Sequence, residues 1–169
     1  IESGSIRFKG QEISKLLAGE IARAGIIRTF QQPRLYRDMS VAANMLVSAA
    51  IRRASFVDLF RREERETERK LAELLDFVGL AEKRDVAAGD LSFGQQKLLE
   101  LAMALVNDPD MLLLDEPTAG INPVLIASLI DRLKAANKDR GLTLLVIEHN
   151  MPVIMDLAEH IYCIAHGRL

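Results

Sequence analysis

The 169-residue sequence contains a single cysteine, Cys163, so no disulfide can form within the chain. That cysteine sits in an apolar run, which predicts a small core residue, and a lone thiol fits a reducing compartment. No charge of one sign dominates: 22 basic against 24 acidic side chains leave a net charge of −2, which argues against an electrostatic grip on nucleic acid. No apolar stretch approaches the length of a membrane span, and no charged-then-apolar targeting segment opens the chain. The first residue is Ile1 rather than Met, which reads as other than a natural start. Internal repeats, low-complexity tracts and flexible linkers are absent. So is the pattern G-x-x-x-x-G-K-[ST]: no glycine is followed at the right spacing by Gly-Lys. The backbone cradle that this pattern builds for nucleotide phosphates is therefore not encoded in these residues.

What is present is 49% apolar and 27% charged. That composition describes one soluble globular domain with a real core, in a chain too short for two. Residues 5–9 alternate and end at Gly10, predicting a short strand. Residues 12–24 read as helical, and Ile26–Phe30 as another strand. Pro33 then breaks the pattern. Ser40 is placed to cap a helix over 40–53. A charged helix over 61–78 turns apolar at Leu71, Leu74, Leu75 and Val78, with Glu66 and Lys70 at i,i+4 spacing. Its charge run is the ordinary mark of a solvated face. An amphipathic helix follows over 94–107. Met111–Asp115 is a short apolar run ending in acid, the shape of a buried parallel strand. Asn122 and Pro123 open the next helix as N-cap and N1, and Gly141 closes it. Leu142–Ile147 and Ile161–Ala165 read as two further buried strands. Strand, helix and strand in this order predict an α/β fold with a parallel sheet. The middle, roughly 35–105, carries no strand signal and reads as helical.

Three groups of residues suggest chemistry. Ligands bind beyond the carboxyl ends of parallel strands, where MLLLD followed by Glu-Pro places Asp115 and Glu116. One carboxylate there can hold magnesium through its water shell and the other can polarise a water; an acidic turn is the plain alternative. His149 follows the strand TLLVIE and reaches the same sheet edge, where an imidazole can donate to a terminal phosphate. His160 and His166 have no such company and read as structural or surface residues. In LSFGQQK, Ser92 and Gln95 form a capping-box pattern, and Gly94 lets a backbone come close. A helix start of this kind suits phosphate, although an ordinary capped helix has the same pattern.

Together and in this order, the motifs resemble the ATP-binding subunits of ABC transporters. LSFGQQK resembles the family's signature motif, MLLLDEP its Walker B, Ala119–Asn122 its D-loop, VIEHNM its switch histidine, and RTFQQPRLYRDMSVAANM its Q-loop region with Gln31 as the glutamine. RTFQ, the aromatic Phe93 inside the signature, and AGIN before Pro123 resemble the branched-chain amino-acid importers in particular. The resemblance covers nearly the whole chain. It implies a P-loop NTPase-type α/β fold, incomplete here, with an inserted α-helical subdomain: ATPase core over 1–34 up to the Q-loop, helical subdomain with the signature over 35–105, and ATPase core with Walker B, D-loop and H-loop over 106–169.

The resemblance also implies roles. ATP and Mg2+ are the expected cofactors. Glu116 would be the general base, with His149 and Gln31 as further catalytic residues. Asp115 would hold magnesium, and Gln31 would sense magnesium and the attacking water. Ser92, Phe93, Gly94, Gln95 and Asn122 would contact nucleotide across a head-to-tail pair of subunits. Asn122 departs from the family's usual aspartate, and N-capping alone accounts for an asparagine there. A transmembrane permease would be the other partner, reached through Pro33–Ser48 with Leu35, Tyr36, Met39, Met45 and Leu46, on the cytoplasmic face of the membrane. Nucleic acid is not an expected partner. In the family the P-loop precedes the strand that SIRFKG resembles, and further helices follow the segment AHGRL, so the chain alone is expected to be inactive. A soluble ABC ATPase of DNA repair or translation is the alternative, as is a non-catalytic fragment. Gln31 and Ser92 stand only 61 positions apart (92 − 31), with no sustained heptads, which disfavours the coiled-coil repair type.

Overall fold

The computed structural model describes residues 4–50 and 62–166. Its centre is a three-stranded parallel sheet in the order β3-β4-β5, formed by β3 (Ile26–Arg28), β4 (Met111–Asp115) and β5 (Thr143–Ile147). Arg28 pairs with Leu113, and Asp115 with Ile147. The backbone N–H of Thr29 extends the first pairing by donating to the Leu113 carbonyl at 2.9 Å. A separate two-stranded antiparallel ribbon joins β1 (Arg7–Phe8) to β2 (Gln11–Glu12). Its turn residues Lys9 and Gly10 both take positive φ, as tight hairpins require.

The helices are α1 (Ala18–Arg23), α2 (Val41–Ala50), α3 (Arg62–Phe77), α4 (Phe93–Leu105), α5 (Pro123–Arg140) and α6 (Met151–Leu157). The expected helix over 12–24 is shorter than its pattern because residues 11–14 extend the ribbon instead. Ile13 N–H donates to the Ile6 carbonyl, and the Ser14 hydroxyl accepts from Ile6 N–H at 2.7 Å. Residues 51–53 of the helix expected over 40–53, and residue 61 of the next, lie outside the described residues. Within the described part of 35–105, backbone pairing between strands is confined to the single bridge Ser40–Ala87.

The later helix boundaries fall where local chemistry puts them. Ser92 and Gln95 close a reciprocal capping box at 3.0 and 3.3 Å. Asn122 Oδ1 accepts from Leu125 N–H at 3.0 Å at the start of α5, with Pro123 at its first position. Gly141 ends α5 in the left-handed region, φ 64°. The ion pairs are less local. Lys70 pairs with Asp108 rather than with Glu66, while Arg69 and Glu73 form an i,i+4 pair on α3 at 3.2 Å.

One continuous apolar core runs from α2 and α3 through α4 to β4 and α5. Met45, Leu71, Leu74, Val78, Leu99, Leu101, Ala102, Leu112, Leu114 and Leu133 all belong to it. α4 packs against α2 and α3 and is buried along most of its length.

Two strand expectations are corrected. β5 is not buried along its length: it alternates, with Leu145 and Ile147 about half exposed or more, at 50% and 62%. Only one face of the sheet, bearing Leu112, Leu114, Leu144 and Val146, meets the helical core. The run Ile161–Ala165 forms no strand; only Ala165 takes part in a β-bridge, and Ile161, Tyr162 and Ile164 are exposed. An apolar run becomes a strand only when a neighbour accepts its backbone hydrogen bonds. Cys163 lies in this run and is exposed, not a core residue.

Replacing both Leu145 and Ile147 by Thr places β-branched, strand-compatible side chains at both positions and removes exposed apolar area. Light scattering should show less concentration-dependent aggregation, with stability changed by no more than about 0.5 kcal/mol per site. Leu112→Ala, in the buried centre of the sheet, should cost about 2–5 kcal/mol in denaturant unfolding.

Candidate functional site

The three parallel strands end side by side, and the residues that follow them form the site. β3 leads to Thr29, Phe30 and Gln31; β4 ends on Asp115 and leads to Glu116; β5 leads to Glu148 and His149. The Gln31 side-chain amide donates to Glu116 Oε2 at 2.9 Å. His149 Nδ1 lies 3.3 Å from Glu116 Oε1. One carboxylate is thus held from both sides by residues 85 positions upstream and 33 downstream (116 − 31 and 149 − 116).

Glu116 itself sits at φ 46°, a conformation that non-glycine residues rarely adopt and that concentrates at functional sites. Its N–H donates to the Ile147 carbonyl at 2.9 Å, which continues the β4–β5 ladder and fixes the turn.

Asp115 is bound to the Arg28 guanidinium, 2.9 Å from its Oδ2. Its carboxylate is 31% exposed, close to the 30% of Glu116, so both open onto the sheet edge. Among the described residues, no group of three His, Cys, Asp or Glu side chains is disposed to hold a metal. Magnesium, however, commonly takes one or two protein carboxylates, with water and substrate phosphates completing its shell. Adjacent open carboxylates at Asp115 and Glu116 fit that donor set.

A second group forms where α4 and α5 begin. Gly94 is buried against the first turn of α5: a Cβ there would stand 2.5 Å from Leu125 Cδ1 and 3.2 Å from Ile121 Cγ2. Its lack of a side chain serves this contact between elements. The Phe93 ring, 41% exposed, lies against Gly120, where a Cβ would come within 3.0 Å of it. Ser92 and Gln95 engage each other in their capping box, and Asn122 caps α5. His160 and His166 are exposed.

Two residues that the motif reading passed over hold the site together. Lys97, 5% exposed, donates from Nζ to the carbonyls of Gln31 at 2.5 Å and Phe30 at 3.2 Å. Burial pushes its ammonium below the usual lysine range, against the pull of Glu100, Asp115, Glu148 and Glu116. Its signal in the sequence is a cation within the buried stripe that includes Gly94, Leu98 and Leu101. Glu148 ties the turn after β4 to the turn after β5. Its Oε1 accepts from Thr118 N–H at 3.0 Å and from the Thr118 hydroxyl, and its Oε2 from the N–H groups of His149 at 3.0 Å and Asn150 at 3.2 Å. Burial alone would raise its pKa, but these four donors outweigh that and hold it below the usual glutamate range.

This arrangement defines a P-loop NTPase-type ATPase core, with its acidic site at the carboxyl edge of a parallel sheet. The chain belongs to the ABC transporter family, whose profile matches residues 1–119; ATPases of this family hydrolyse ATP to power transport. It is 37% identical to the high-affinity branched-chain amino acid transport ATP-binding protein BraF of Pseudomonas aeruginosa, covering 97% of this chain and 67% of the relative. The corresponding protein LivG of Escherichia coli is 35% identical, with the same two coverages. Among solved structures, the ADP conformation of an ATP-binding cassette of an ABC transporter superposes with TM-score 0.83 and 30% identity, over 99% of this chain and 67% of that one.

Because Glu148 is held below its ordinary pKa, its contribution to stability is complete above the ordinary glutamate range and is lost as pH falls through the lowered folded value. Glu148→Gln presents an N–H2 group to two of the four donors. It should lose about 1–3 kcal/mol at pH 7 and show less of the acid-side decline in melting midpoint than the parent chain. A variant that melts like the parent across that range would contradict this role.

Proposed function

We infer that this chain forms part of the ATP-hydrolysing subunit of an importer of branched-chain amino acids. The observation that carries this reading is the double hold on Glu116, with the Gln31 amide on one oxygen and the His149 imidazole on the other. The relatives' names supply the substrate class.

In this reading Glu116 takes the proton from an attacking water. Gln31 orients the carboxylate and that water, and links them to the loop that follows. His149 donates toward the terminal phosphate. Asp115, with Gln31 nearby, would hold magnesium, which when bound with ATP neutralises charge developing on the phosphate oxygens. Asp115, now paired with Arg28, would give up that partner for the role. Ser92, Phe93, Gly94 and Gln95 would face nucleotide held by a second subunit in a head-to-tail dimer, with Asn122 beside them. The sequence contains no G-x-x-x-x-G-K-[ST] loop, so residues 1–169 alone would turn over no ATP. The chain divides functionally into ATPase core over 1–34 and 106–169 and a helical subdomain over 35–105.

Among the described residues no helix is long and apolar enough to cross a membrane. The relatives' names as transport ATP-binding proteins support a link to transport through a permease at the membrane's cytoplasmic face, with this subunit peripheral. Of the residues expected to make that contact, Tyr36 and Leu46 are exposed at 56% and 43%, while Leu35 and Met39 are half-buried. Met45 is fully buried in the core and is withdrawn from the contact surface. Asn44 braces the approach to α2. Its Oδ1 accepts from Tyr36 N–H at 2.8 Å and its Nδ2 donates to the carbonyls of Tyr36 and Ser40, both at 3.0 Å. Tyr36 is thus presented on a braced loop five residues after Gln31 (36 − 31).

The test uses the chain joined to an upstream G-x-x-x-x-G-K-[ST] segment. Glu116→Gln should retain ATP binding while hydrolysis falls by about 10²-fold or more, in line with loss of a general base. Hydrolysis at the parent rate would remove Glu116 from that role.

A further inference from the structure

Two charged side chains of α4, Lys97 and Glu100, converge on one short segment. Lys97 and Glu100 stand three residues apart, on one face of the helix. Lys97 takes the carbonyls of Phe30 and Gln31. The Glu100 carboxylate accepts from Phe30 N–H at 3.4 Å. Between them they grip the backbone of Phe30 and Gln31, in a segment, residues 30–34, that forms no helix or strand of its own. The helix that carries the grip is firmly seated: Leu98, Leu99, Leu101 and Ala102 are in the core, and Gly94 is wedged against Leu125 and Ile121. Ser92 and Lys97 are five residues apart (97 − 92), or about 7.5 Å of helix rise. The segment so held carries Gln31, whose amide reaches Glu116.

We propose that Lys97 and Glu100 are positioning residues that latch the 30–34 segment to α4, so that the helix beginning at Ser92 sets where Gln31 stands against Glu116. The proposal rests on the reading of Glu116 and Gln31 as parts of the hydrolytic site. The latch itself rests only on the contacts just described. Its consequence is that a shift of the signature end of α4 moves Gln31 with it, because the backbone of Gln31 is bonded to that helix and its side chain to the carboxylate. Loss of the latch leaves Glu116 in place but frees its orienting partner.

Two measurements test this. The first is amide hydrogen exchange on the chain as it stands. Lys97→Met, which keeps length and removes the donor, should raise exchange at Phe30 by about tenfold or more, the scale of one lost hydrogen bond. Exchange in β4 and β5 should stay unchanged. Glu100→Met should do the same, and Lys97→Arg should restore most of the protection. The second is steady-state hydrolysis by the chain joined to an upstream P-loop segment. Lys97→Met should lower kcat about tenfold while KM for ATP stays within about twofold, because the latch does not touch nucleotide. Parent-like exchange at residues 30–34 in both variants overturns the latch. So does a rise spread equally over β4 and β5 that Lys97→Arg fails to reverse, since that marks general destabilisation. Raised local exchange with unchanged kcat overturns the link to Gln31. Full activity in Glu116→Gln would instead fail the site reading, and the exchange result would still decide the latch.

Discussion

Parallel pairing of β4 with a strand on each side is the constraint on which the site depends. In a parallel sheet all strands run the same way, so their carboxyl ends lie along one edge. The register Arg28–Leu113 on one side and Asp115–Ile147 on the other brings the residues after β3 and β5 to the residue after β4. Slipping either pairing by one residue would turn every side chain of that strand to the opposite face. Gln31 or His149 would then point away from Glu116. The short strands tolerate this demand because the buried pair Leu112 and Leu114 admits only one alternation.

The second determinant is α4, which belongs to the core along most of its length and to the site at its edge. Its apolar residues join the helices of the middle of the chain to the sheet. Its capped start meets the start of α5, and its Lys97 and Glu100 grip the segment carrying Gln31. One helix therefore couples three places that the sequence keeps far apart. The left-handed turn at Glu116 and the four-donor cradle of Glu148 complete the site by fixing the loops after β4 and β5 against each other.

Much of this was legible in the sequence where the determinants are local. The boundaries of α4 and α5 follow from Ser92, Gln95, Asn122, Pro123 and Gly141, whose effects act within four residues. β4 and β5 show as apolar runs between turn signals, and the order of the motifs identifies the family. What was not legible depends on distant partners. The run at Ile161–Ala165 has the composition of a strand, but pairing decides strand formation. Leu145 and Ile147 have buried-strand chemistry, yet only one face of their sheet meets the core. Lys70 finds Asp108 across the fold in place of a neighbour on its own helix. Lys97 and Glu148 act on backbone groups of remote segments, and no spacing rule reveals such contacts. A cation in a buried helical stripe was the available sign for Lys97.

The central claim is that strand register makes Gln31, Glu116 and His149 a single working unit. Catalytic residues that act as a unit are strongly non-additive, whereas independent ones combine multiplicatively. The direct measurement is ATP turnover, in the chain joined to an upstream P-loop segment, for Gln31→Ala and His149→Ala alone and each combined with Glu116→Gln. The account predicts that each single alanine variant slows turnover at least tenfold, and that neither slows it further once Glu116 is replaced. Undiminished, multiplicative losses in the combined variants would contradict it.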